Sequence, residues 1–186
     1  MKKILFCIVL ISAGFTLKGQ IGLRGGINYS DVTIEGLTNV TTDSKIGIHA
    51  GLQGYFQLGG LLNIRPAVLY NIKGSKVDAF GAAGNNSLHY LEVPINLGLK
   101  FGSDSFGIVL EGGPYFGYLM NISQGLFSDV DKSDWGANFG AVVELDNLGI
   151  GLNYSNSLSG ANGGASINQA FKLKNGNIAA FVYFKL

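Results

Sequence analysis

The residues able to do chemistry in this chain are few, and most sit inside apolar stretches at alternate positions. Arg24, Arg65, Lys73, Lys100 and Lys185 fall in this way, as do Glu92, Glu111 and Glu144. Charges of both signs on one buried face could pass protons or ions. They could equally pair with one another and fill the space, because a buried charge is costly unless it is paired. The pairing reading is adopted here, with Arg24, His49, Arg65, Glu92, Lys100, Glu111 and Glu144 expected as a polar network. His49 could form a hydrolase set with Ser155 or Glu144, but no spacing supports an activated nucleophile with a base in reach. His49 is therefore read as a hydrogen-bonding interior residue, and His89 as lying near a rim. Asp129, Asp131 and Asp134 alternate in one stretch, yet the glycine and terminal glutamate of a calcium loop are absent. They read as a solvated acidic loop. Gly25-Gly26 and Gly112-Gly113 precede no helix that could present its N-terminus to a phosphate. No catalytic, cofactor-binding or metal-binding residue is assigned, and no cofactor is expected.

The elements that carry these residues have a period of two, the mark of strands with two unlike faces. In 90–101, Leu91, Val93, Ile95, Leu97, Leu99 and Phe101 oppose Tyr90, Glu92, Asn96 and Lys100. The same alternation runs through 21–30, 46–57, 62–74, 106–120, 135–145, 148–155 and 178–186. That predicts eight strands. Short Gly-, Asp-, Asn- and Ser-containing links at 58–61, 102–105 and 146–147 suit tight hairpins. Longer links fall at about 32–45, 75–89, 121–134 and 156–177, and short turns at one end with long loops at the other are typical of transmembrane barrels.

Composition decides which face points inward. Of 186 residues 13% are charged, about half the usual share, while 47% are hydrophobic and 29 are glycine. That hydrophobicity excludes a disordered chain. A formal charge of +1 with no basic run gives no footing for nucleic acid. Cys7, the one cysteine, supports neither a disulfide nor a zinc scaffold. A soluble sandwich would carry many Lys and Glu on its second face. Here that face is mostly Gly, Asn, Gln, Ser and Tyr, which suits the interior of an eight-stranded barrel just wide enough for side chains. The apolar face then meets lipid, and the narrow interior leaves little lumen for a diffusion channel.

The first residues read as an address. Lys2-Lys3 is followed by the uncharged, mostly apolar stretch 4–17 and a polar, small-residue end at 18–20. This is the order of a secretory signal peptide, and the run is too short to span a bilayer as a helix. Cleavage after Gly19 leaves a barrel domain of 20–186 with 10 basic and 12 acidic residues, a formal charge of −2.

Gly22-Leu23-Arg24-Gly25-Gly26-Ile27-Asn28-Tyr29-Ser30 resembles the first strand of the PorT-like outer-membrane β-barrel family of Bacteroidota. Gly47–Leu52, Tyr70–Lys76, Tyr90–Pro94 and Glu111–Tyr118 are similar to its second to fifth strands. The resemblance extends over essentially the whole mature chain. It implies an eight-stranded antiparallel up-and-down barrel in the outer membrane, in contact with its lipid. The founding member's role in protein secretion is what the resemblance offers as a function. From the residues themselves, a non-enzymatic barrel with a structural role, or one binding an extracellular or envelope protein through its loops, is expected. A lipid or peptide hydrolase at the outer leaflet is the alternative. Intact-mass measurement of protein extracted from outer membranes is expected to give a chain beginning at Gln20; a chain retaining Met1 would refute the signal peptide.

Overall fold

The computed structural model describes residues 19–35, 40–79, 82–103, 105–123, 132–159, 161–162 and 172–186. The strands are β1 (Gly19–Glu35), β2 (Val40–Gly59), β3 (Leu62–Ala79), β4 (Ala82–Gly102), β5 (Phe106–Ser123), β6 (Ser133–Leu145), β7 (Leu148–Ser157), β8 (Ala161–Asn162) and β9 (Lys172–Lys185). Each wall strand pairs antiparallel with the next, in the order β1-β2-β3-β4-β5-β6-β7-β9, and β1 pairs with β9 to close the ring. The two-residue β8 only adds to the end of β9, at Ala161↔Leu173 and Asn162↔Lys172. The wall is therefore a closed eight-stranded antiparallel barrel, as the alternation predicts.

Three turns tie one end. Gly59, which ends β2, and Gly60 take positive φ of 134° and 54°, and Gly102, which ends β4, takes 126°. These are backbone conformations that glycine adopts without a Cβ penalty. Asp146 takes φ 49° in the two-residue β6–β7 turn, where aspartate tolerates the left-handed region.

At the other end the ladder runs further than alternation implies. Sequence assigns 32–45 and 75–89 to connections, but β3 and β4 continue to Ala79↔Ala82, β2 follows β3 to Val40↔Ala79, and β1 follows β9 to Glu35↔Lys172. The reason is that main-chain pairing needs no buried face. Once a hairpin's register is set, it can zip past the point where apolar alternation stops. Much of 121–134 and 156–177 lies outside the described residues.

The faces are inverted relative to a water-soluble protein. Outward side chains include Ile27, Leu52, Leu97, Ile108, Val143 and Leu152, all exposed, with Phe139 at 65%. Inward ones include Arg24, Gln53, Asn96, Asn138 and Glu144, with Glu144 at 0%. Outward aromatic residues gather at both ends of the wall. Phe101, Phe106 and Phe184 lie toward the turns, whereas Tyr29, Tyr70, Tyr118, Trp135 and Tyr154 lie toward the far end. Two such girdles flank the apolar band of membrane barrels.

Glycine makes room for the large interior rings. A Cβ on Gly149 would fall 2.2 Å from the Tyr183 ring, and one on Gly151 would fall 2.5 Å from the Phe181 ring. Substituting arginine at Leu97 or Val143 is expected to cost about 2–4 kcal/mol, read by urea titration of folding into lipid vesicles. Unchanged stability at both positions would show that the faces are assigned backwards.

Candidate functional site

Glu144, near the turn end of β6, is the centre of the interior. Its Oε2 accepts Lys100 Nζ at 2.9 Å from β4 and Lys185 Nζ at 3.0 Å from β9. Its Oε1 accepts Arg65 Nη2 from β3 and the Tyr183 hydroxyl. Arg65 extends the cluster: Nη1 reaches Glu111 Oε2 at 3.3 Å and Nε donates to Asn63 at 2.7 Å. Asn96 donates to the other Glu111 oxygen at 3.2 Å. Tyr55 and Tyr183 lie 4.8 Å apart and face the Arg65 guanidinium at 5.2 and 5.8 Å. Four of the seven sequence-nominated residues, Arg65, Lys100, Glu111 and Glu144, thus meet in one ionic cluster.

The other three lie elsewhere. Glu92 pairs with Lys73 further from the turns and accepts Asn71 Nδ2 at 2.7 Å. Arg24 joins no ion pair among the described residues. It donates to Gln53 at 3.1 Å and stacks on Phe181 with its guanidinium 3.5 Å from the ring centre. His49 touches Asn28 at 3.5 Å and meets Phe181 edge-on. Its recorded partners do not include Ser155, which accepts Asn177 Nδ2 at 3.5 Å, or Glu144. His89 pairs with the Tyr70 hydroxyl at 2.7 Å. Between the two ionic levels runs a band of amides, in which Asn153 donates to Asn138 and Asn138 to the Gly113 carbonyl.

Asp134 departs from the expected acidic loop. It is 1% exposed in β6 and accepts Ser157 at 2.5 Å, Ser159 at 3.1 Å and Tyr115 at 3.2 Å. The signal was present in the sequence: with Trp135 and Ala137 facing out, position 134 must face in. Asp129 and Asp131 lie outside the described residues. Lys73, Lys185 and Tyr183 likewise occupy polar-face positions, but nothing in their spacing tells which carboxylate each one meets. Among the described residues, no group of three or more His, Cys, Asp or Glu side chains could hold a metal ion.

Space inside the barrel is divided. A cavity of about 300 Å³ opens among the turns beside Lys100, Glu144 and Lys185, and a separate chamber of about 30 Å³ lies at mid-height beside Arg24, His49 and Asn96.

Charges inside, lipid-compatible side chains outside and a closed ladder describe a membrane-spanning wall. Residues 17–163 match the family model described as outer membrane protein beta-barrel domain. The chain belongs to that family. It is an outer-membrane protein.

No curated protein matches the barrel in sequence. Solved structures match it in fold. OprG from Pseudomonas aeruginosa is 13% identical, with 91% of this chain and 94% of that chain covered and a TM-score of 0.57. Ail, the attachment invasion locus protein of Yersinia pestis, is 11% identical, with 91% and 100% covered and a TM-score of 0.48. The outer membrane enzyme PagL is 10% identical, with 87% and 99% covered and a TM-score of 0.46. Such identities speak to fold alone, and one fold carries many functions.

Removing one partner of a buried ionic cluster leaves the other charges uncompensated. Glu144→Gln, which removes a carboxylate shared by three cations and leaves Lys100 and Lys185 without their ion pair, is expected to destabilise the barrel by about 3–5 kcal/mol, read by urea unfolding. Glu92→Gln, which frees one lysine, should cost clearly less. Equal losses would deny Glu144 its central place.

Proposed function

We propose that this protein is a non-enzymatic outer-membrane barrel that acts through its outer end, as an envelope component or by holding an extracellular or envelope protein. The observation that carries this reading is the commitment of the interior groups to one another. Glu144, the best-engaged carboxylate, is held by three cations and a tyrosine hydroxyl. His49 has an amide and an aromatic edge for neighbours. Hydrolysis at the outer leaflet would call for an activated nucleophile with a base in reach; interior His49 meets no hydroxyl among the described side chains, and the hydroxyl at His89 is that of the outward-facing Tyr70.

The connections opposite the turns are the natural place for recognition, since binding groups tend to sit on loops held by a rigid scaffold. With residues 1–19 removed on export, the first strand starts on the periplasmic side and carries the 32–45 hairpin outward. The motifs shared with PorT-like barrels support a place in a Bacteroidota envelope and an association with protein secretion as one form the partnership could take. Recognition by charge alone of an anionic polymer is disfavoured, because Glu35, Asp43, Asp78, Asp129 and Asp131 offset Lys45, Lys76, Lys132, Lys172 and Lys174 in these segments.

Replacing the tips of all four outer connections by tight turns is expected to leave a barrel that still shifts mobility on heating in gels, while losing whatever the full chain captures in crosslinked cells. If the shortened barrel keeps every partner, the active surface is the wall or the turn end.

A further inference from the structure

The cavity at the turn end has an uneven charge. Its volume is about 300 Å³, and its walls include Arg65, Lys100, Lys185 and Glu144, with Asp146 at the turn. Both ammonium groups lean on one oxygen of Glu144, at 2.9 and 3.0 Å, and Arg65 takes the other. Behind them Arg65 also reaches Glu111 at 3.3 Å. Three cations thus share two buried carboxylates. Asp146 does not redress the balance from inside, because it is exposed at the turn, where water and salt screen it. One positive charge therefore lacks a buried counter-charge at this cavity, a costly arrangement in a low-dielectric interior.

Donors are in surplus as well. An ammonium has three N–H groups, and the contact with Glu144 occupies one on each lysine. We propose that this cavity binds a small oxyanion of the phosphate class, inorganic phosphate or a phosphate monoester. Its oxygens take the remaining lysine donors, and its charge balances the surplus cation. The mouth opens among turn residues inside the barrel wall, so the ligand arrives from water and not from the lipid face. The volume lies at the lower end of the range for small-molecule sites, ample for one phosphate with part of its hydration shell.

The test uses the full mature barrel in nonionic micelles free of phospholipid, with lysine side chains isotope-labelled for NMR. Inorganic phosphate is titrated against chloride at matched ionic strength. Saturable shifts are expected at Lys100 and Lys185, while Lys132, exposed beyond the opposite end of the wall, follows ionic strength alone. Lys100→Gln should weaken the phosphate response at Lys185 by about tenfold, the worth of one charge-assisted hydrogen bond. Lys100 is the residue to change because its side chain is 16% exposed, at the edge of the cluster; if that variant does not fold, Lys100→Arg, which keeps the charge, should retain saturable binding. Shifts that follow chloride and never saturate, or an affinity unchanged in Lys100→Gln, would overturn the proposal.

Discussion

In hydrocarbon a backbone N–H or C=O has no water to turn to, and leaving one unpaired costs several kcal/mol. A sheet with an edge therefore cannot stand in a bilayer. Everything else in this molecule depends on β1 meeting β9, from Gly22↔Lys185 through Leu23↔Phe184 and beyond. Closure forces each strand to show one face to lipid and one to a narrow interior. From that follow the inverted burial, the glycines beneath Tyr183 and Phe181, and the low share of charged residues.

The same closure creates the second problem, which is what to put inside. Interior groups facing a ring of other strands must satisfy one another, and here they do so unevenly. Toward the turns Glu144 gathers Arg65, Lys100 and Lys185 from three other strands, joining β3, β4, β6 and β9 across the lumen. Toward the opposite end Lys73 and Glu92 form a pair, and Asp134 is held by the hydroxyl groups of Tyr115, Ser157 and Ser159. An ionic cluster of this kind also fixes register. A slip of one residue in β6 would turn Glu144 into lipid, leaving Lys100 and Lys185 without their carboxylate and Arg65 with Glu111 alone of its two.

Much of this was legible from residue order because a barrel wall has a period of two and a closed ring has few topologies. Leu97 beside Asn96 and Val143 beside Glu144 already tell the two faces apart. The tips of β3 and β4 were not legible, since Ser75–Ala79 and Ala82–Ser87 pair through main chain without apolar alternation. Asp134 was readable as inward by counting from Trp135, yet its acidic neighbours in sequence, Asp129 and Asp131, pointed to solvent. Which cation meets which carboxylate was beyond reach. Arg65 and Glu144 are 79 residues apart, and their contact depends on shear around the barrel, which no local pattern encodes.

The barrel faces lipid and its interior is occupied by its own side chains, with Arg24 stacked on Phe181 and Arg65 against Tyr55 and Tyr183. Ion conductance of the purified mature barrel in planar bilayers tests this most directly. A quiet trace at moderate voltage is expected, with no unitary current steps. Stable, ohmic steps from the wild-type chain would mean a continuous water-filled lumen, and would contradict an occupied interior.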